Sequence, residues 1–222
     1  MRKQKSDISA FLNVRENSTR CKNKMLRSFS GTTLLDICLN KMHELSYMEI
    51  FYGAHENDLL DKAKDYSFLN IVKRSYDSAH SDNDPSKIFE ILNKIPTKWV
   101  LWINPCVPFL EMGTVNSAVD TFLASENNSL TSVKKIQGWF YDMGGAPLTS
   151  YSIATQDSDC LFEAAHAFHI YDREFMIENN MLWSNQRGDP LLFPIPLEQS
   201  YDTDTEDEFF LYENLYKLKT ME

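Results

Sequence analysis

Arg15, Arg20, Lys22, Lys24 and Arg27 crowd a polar stretch that begins directly after the apolar run Ile8 to Val14. Its first part, Arg15-Glu16-Asn17-Ser18-Thr19-Arg20-Cys21-Lys22-Asn23-Lys24, packs four cations into ten residues. Like charges this close repel one another unless an anion sits among them. Arginine offers forked donors to phosphate oxygens and lysine a point charge. Ser18, Thr19 and the backbone N–H groups of a turn can complete an anion nest. The competing reading is a solvated loop whose charges hold nothing.

Near the other end, Ser200-Tyr201-Asp202-Thr203-Asp204-Thr205 precedes a helical stretch. Residues two apart in extended chain face the same way, so Asp202 and Asp204 can present both carboxylates to one site. Mg²⁺ takes hard oxygen ligands, usually one or two carboxylates completed by phosphate oxygens and water. The competing reading is a helix cap at Asp204 or Thr205, with Glu206 and Asp207 favouring the positive end of the helix.

The elements that must position these groups alternate. Strands are expected over Ile8–Val14, Tyr47–Tyr52, Leu69–Val72, Trp99–Ile103 and Leu130–Val133, as short runs apolar on both faces. Helices are expected after Thr33, over Asn57–Asp65, from Asp84-Pro85, over Thr114–Ala124 and over Glu206–Leu218, from caps and helical spacing. Strands of this kind between helices predict a mostly parallel sheet covered on both sides. In such folds ligands sit beyond the carboxyl ends of the strands. That places the Arg15 loop, the loop after Ile103 and the segment before the last helix at one crevice. The stretch 134–190 reads as an irregular excursion from a single domain spanning residues 1–222.

Arg-x-x-Ser-Thr-Arg-x-x-x-Lys after a first apolar strand resembles the nucleotide-binding signature of the sugar cytidylyltransferases, the CMP-sialic acid and CMP-Kdo synthetases. The resemblance implies a Rossmann-like three-layer nucleotidyltransferase fold and places Arg15, Ser18, Thr19, Arg20 and Lys24 on the phosphates of CTP. Family loops are rich in glycine, where this chain has Asn17 and Asn23. Met25 replaces an asparagine that touches the nucleotide in the sialic acid enzymes. Arg74 matches an arginine that helps hold the cytidine, and Ser86 a nearby serine. Asn104-Pro105-Cys106-Val107-Pro108-Phe109 resembles the loop whose Gln contacts the sugar, with Asn104 in its place. The Kdo type carries an aspartate in this loop, so its absence favours the sialic acid branch. Asp202 and Asp204 match the Mg²⁺-holding aspartates. His169, Leu182 and Trp183 fall where the sialic acid enzymes carry a Tyr and two Phe that line the sugar pocket.

The activity so implied is transfer of CMP from CTP to an acidic sugar, with Mg²⁺ as cofactor. A homodimer is expected, built partly through residues 134–190, where Trp139, Phe140, Tyr141, Phe168 and Trp183 are concentrated. Two alternatives stand beside it. One is a relative of different sugar or nucleotide specificity, and the other a binding protein whose site has decayed.

Composition is compatible with this reading. Hydrophobic residues make up 43% and aromatics 13% of the 222 residues, enough for a sizeable core. The net charge of -10 argues against a long nucleic acid as partner. The charged start and the absence of a long apolar run predict a cytoplasmic protein with no membrane partner. Cys21, Cys38, Cys106 and Cys160 form no Cys-x-x-Cys pair and suit a reducing compartment.

Overall fold

The computed structural model describes residues 3–16 and 18–221, so Asn17 of the cationic loop lies outside the described residues. In chain order the elements are β1 (Ile8–Asn13), β2 (Ser28–Phe29), β3 (Thr32–Thr33), α1 (Leu34–Met42), β4 (Ile50–Ala54), α2 (Asn57–Ala63), β5 (Leu69–Lys73), α3 (Tyr76–His80), α4 (Pro85–Ile88), β6 (Trp99–Ile103), α5 (Met112–Ala124), β7 (Ser129–Gln137), β8 (Cys160–Asp172), α6 (Arg173–Asn179), β9 (Leu191–Pro194) and α7 (Glu206–Thr220). Strands β2 and β3 form a small antiparallel hairpin.

The other seven strands make one sheet in the order β5-β4-β1-β6-β8-β7-β9. Pairings β5/β4, β4/β1, β1/β6 and β7/β9 are parallel, whereas β8 runs antiparallel to both β6 and β7. The apolar runs predicted the first parallel block because strands buried on both faces lose their alternation. Side chains still alternate within them. Ile8, Ala10 and Leu12 enter a core with Leu34, Leu39, Val119 and Phe209 of the helices on one face. Phe11, Val100 and Tyr171 enter a second core with Ile91, Leu92 and Met176 on the other. Each such fully buried Leu or Phe side chain contributes roughly 1.5–3 kcal/mol.

Local signals set the helix ends. Thr33 accepts the Asp36 amide at the start of α1, and Asp84 accepts the Ser86 amide ahead of Pro85 at the start of α4. Gly53 of β4 permits a close approach of neighbours. A Cβ there would stand 2.7 Å from Asn13 Oδ1, 2.8 Å from Ile91 Cδ1 and 3.1 Å from Arg74 Cδ.

The expectation for residues 134–190 is corrected. Within it 138–159 and 180–190 are largely irregular, but β8 is thirteen residues long and lies inside the sheet, followed by α6. A register irregularity between Thr131 and Val133 marks a bulge, and His166 opposite it has φ +49. Ser132 Oγ stitches this bulge by accepting the Ala167 and Phe168 amides and donating to the Phe168 carbonyl. The bulge interrupts the period-2 pattern that would have announced the strand.

Candidate active site

The loop after β1, the loop after β6 and the segment before α7 meet at the carboxyl ends of the parallel strands. They enclose a cleft of about 270 Å³ walled by Arg15, Ser18, Thr19, Arg20, Lys24 and Asp204. Asn23 turns the loop in the left-handed region, φ +52, a conformation asparagine tolerates better than most residues. The loop is tied to α7 along its length. Arg27 Nη1 donates to both carboxylate oxygens of Glu206, at 3.1 and 2.9 Å, and the guanidinium lies over the Phe209 ring. The Lys22 amide donates to Glu206 as well.

Lys24 is the centre of the charge cluster. Its side chain is 12% exposed, and Nζ donates to the Thr203 carbonyl at 2.7 Å and to Asp204 Oδ1 at 3.1 Å. Burial alone would lower the pKa of this ammonium. Cys106, Asp204 and Asp202 close by outweigh burial and raise it. Arg20 reaches the other oxygen of Asp204 at 2.8 Å from an exposed position. Arg15 stands at the rim and pairs with Asp82.

Asp202 and Asp204 flank Thr203, whose amide donates to the Cys106 carbonyl. Asn104 Nδ2 donates to Asp202 Oδ2 at 3.0 Å, while Asn104 Oδ1 accepts the Cys106 amide. Asn104 therefore both turns its own loop and orients Asp202. Asp202 Oδ1 is buried without a hydrogen-bond partner. Burial first, and then the charge of Asp204, push the Asp202 carboxyl up to about 6, against the pull of Lys24 and Asn104. The cap of α7 is Thr205, which accepts the Glu208 amide while Glu208 reaches back, a closed capping box. Asp204 is thus free of the capping role that sequence reasoning left open.

These residues fit a hard divalent cation. A buried carboxylate with one orphaned oxygen, beside a second carboxylate, is what Mg²⁺ accepts when phosphates and water supply the remaining ligands. Among the described residues no group of three or more His, Cys, Asp or Glu could hold a metal by itself. Asp202 and Asp204 would hold Mg²⁺ only together with a phosphate-bearing ligand.

The other predicted residues are placed as follows. Arg74 is buried, and its guanidinium donates to Ser78 Oγ and to the carbonyls of Ser78, Val14 and Ile88. Burial lowers its pKa to about 10. It stands in a second lobe of about 200 Å³. Ser86 bonds to Asp84 and lines a different depression, with Phe89 and Met176. His169 is buried beneath Trp102 and contacts Trp183 edge-on. Leu182 packs on the second core. Trp102, which lines both lobes, was missed because it lay inside an apolar strand. The signal was its place, one residue before the carboxyl end of β6 and on the opposite face from Leu101 and Ile103.

No family model and no curated protein matches this chain. Solved structures do. A 4-diphosphocytidyl-2C-methyl-D-erythritol synthase from Anaerococcus prevotii superposes with a TM-score of 0.65 at 13% identity, covering 96% of this chain and 99% of that one. A CMP:2-keto-3-deoxy-manno-octonic acid synthetase complexed with CTP superposes with a TM-score of 0.68 at 10% identity, covering 96% of this chain and 100% of that one. This is an α/β nucleotidyltransferase fold. Both neighbours are named for cytidylyl chemistry, and identities this low establish the shared fold. All four cysteines are free. No described helix is long and apolar enough to cross a membrane.

Proposed function

We propose that this protein transfers CMP from CTP to an acidic 2-keto sugar of the sialic acid type and releases pyrophosphate. The observation that carries the reading is the Lys24–Asp204–Asp202 cluster at the strand ends, where a cationic loop meets a carboxylate with an orphaned buried oxygen. Two fold neighbours named for cytidylyl chemistry, one of them an acidic-sugar enzyme in complex with CTP, support the substrate class.

In the proposed reaction the anomeric hydroxyl of the sugar attacks the α-phosphorus of CTP. A new P–O bond forms, the α–β bridge breaks with its electrons on pyrophosphate, and the hydroxyl proton is lost to solvent. Mg²⁺ held by Asp202 and Asp204 supplies charge neutralisation at the phosphates when bound. Asn104 fixes the Asp202 carboxylate beside Asp204 by donating to its Oδ2. Arg20 and Lys24, now paired with Asp204, are the cations a triphosphate would draw to itself. Together with Arg15 they stabilise charge on the leaving pyrophosphate, so the work is positioning and electrostatics. Ser18 and Thr19 contribute hydroxyls at the same wall.

A homodimer belongs to the proposal. Met143, Tyr151 and Ile153 of the 138–159 excursion are largely exposed, and Trp139 stacks on Tyr151 to stiffen it. An apolar surface of this kind favours a protein partner. The test of function is pyrophosphate release from CTP and Mg²⁺ over a panel of eight- and nine-carbon acidic sugars. Release with a nine-carbon acid supports the reading. No release with any acid, together with no Mg²⁺-dependent CTP binding, would favour the decayed binding protein.

A further inference from the structure

The phosphate loop, the aspartates and Arg74 leave the aromatic wall of the cleft without a role. The cleft has two lobes. One holds Arg20, Lys24 and Asp204. The other, lined by Arg74, Ser81, Ile88 and Phe89, adjoins it. Asn13, Arg15 and Trp102 line both, so a single ligand can span them.

Trp102 is held in place from behind. Its indole stacks on the His169 imidazole with centroids 5.1 Å apart and planes 10° from parallel. His169 Nδ1 shares a hydrogen bond with Thr131 Oγ1 at 2.7 Å, and its Nε2 shares one with His166 Nδ1 at 3.2 Å. Trp183 packs edge-on at 5.3 Å. An imidazole gripped at both nitrogens cannot turn. The half-buried indole it backs is therefore a fixed plate in the wall of both lobes.

The second lobe combines apolar faces with a few polar groups. Phe89, Ile88 and Trp102 give it apolar walls. The Arg74 guanidinium is committed to Ser78, Val14 and Ile88, and Asn13 Nδ2 donates to the Ile88 carbonyl, while Asn13 Oδ1 is buried without a partner among the described residues and Ser81 and the paired Arg15 and Asp82 complete the lining. An aromatic face beside an unpartnered acceptor suits a flat heterocycle that carries an amino group.

The geometry points to Trp102 as the platform on which the nucleotide base stacks, with the triphosphate running from it into the Arg20–Lys24 lobe. His169 acts through Trp102 as a positioning residue. This inference rests on the nucleotidyl-transfer reading. It assigns the second lobe to the base and leaves the acceptor sugar outside it.

The experiment compares wild type, Trp102→Leu and Trp102→Phe by tryptophan fluorescence and calorimetry, using Mg·CTP and, as a base-free probe, Mg·tripolyphosphate. CTP is expected to quench the wild-type emission. Trp102→Leu is expected to bind CTP roughly 10- to 100-fold more weakly, the range of aromatic–base stacking, with the quench lost. Its affinity for tripolyphosphate should equal that of wild type, which also certifies the fold and the cation lobe. Trp102→Phe keeps a ring and should recover most of the CTP affinity. His169→Asn should weaken CTP binding without changing tripolyphosphate binding. Unaltered CTP affinity in Trp102→Leu overturns the platform, as does equal loss of both ligands that Phe fails to rescue. Wild-type protein that binds neither ligand would bring down the nucleotidyl-transfer reading, and the platform with it.

Discussion

Replacing Asp204 by Asn separates the proposed metal site from everything else this residue does. Asn has the same shape, and its Oδ1 can still accept from Lys24, but the negative charge is gone. Two ion pairs are lost. The Arg20 pair is exposed and counts for under about 1 kcal/mol. The Lys24 pair spans 3.1 Å with Lys24 mostly buried. Its Coulomb term is about 5 kcal/mol at an effective dielectric of 20, and desolvation of the ammonium offsets most of it. The net stability loss is therefore about 1–2 kcal/mol, a fall in Tm of roughly 2–8 °C for a chain of this size. Helix α7 keeps its start, because Thr205 and Glu208 form the cap. Turnover should fall far more, about 10²- to 10³-fold, the usual cost of removing one group that stabilises transition-state charge. The loss should appear in kcat, since that charge grows as pyrophosphate departs. Thr205→Ala is the mirror control. It should cost about 1 kcal/mol through the lost cap and leave turnover near native. The assay is pyrophosphate release at varied Mg²⁺, with thermal melts of both variants. Near-native turnover and unchanged Mg²⁺ dependence in Asp204→Asn would refute the metal assignment.

Four further outcomes are expected. Burial, with His166 adding to it, lowers the His169 imidazole to about 3, so the unfolded chain takes up this proton first as pH falls. Its stabilising contribution is complete above the unfolded value near 6.5 and is lost toward 3, so between pH 7 and pH 5 wild type should lose about 2 kcal/mol relative to His169→Gln. Urea titrations giving the same difference at both pH values would defeat this. Gly53→Ala should destabilise by about 1–3 kcal/mol, since its methyl would press on Asn13, Ile91 and Arg74; a melt equal to wild type would contradict the close packing. Among CTP, UTP, ATP and GTP, CTP should raise Tm most, and equal shifts would remove the cytosine preference. Light scattering at micromolar concentration should give a dimer mass that Tyr151→Asp plus Ile153→Asp reduces to a monomer, whereas a monomer in wild type would reject the interface.

The first half of the fold was legible because its signals are local. Trp99–Ile103 is a strand as expected, since five apolar residues ended by Asn104-Pro105 leave little alternative. Thr33 with Asp36 and Asp84 with Pro85 begin helices as expected, because a cap needs only near neighbours. The types and order of Arg20, Lys24, Asp202 and Asp204 also stood in the sequence. Their meeting did not. Lys24 lies 180 residues from Asp204, and the two meet because β1 lies beside β6 and the Thr203 amide ties the Asp204 segment to the loop after β6. The strand β8 stayed hidden for the same reason. Its bulge is held by Ser132 from another strand, so the alternation along its own residues is broken by a partner the local pattern cannot name. Trp102 shows the limit most clearly. In sequence it is one more apolar residue of a buried strand. Its place in the wall of the cleft depends on His169 beneath it and on two loops around it, and those are decided by packing between segments far apart in the chain.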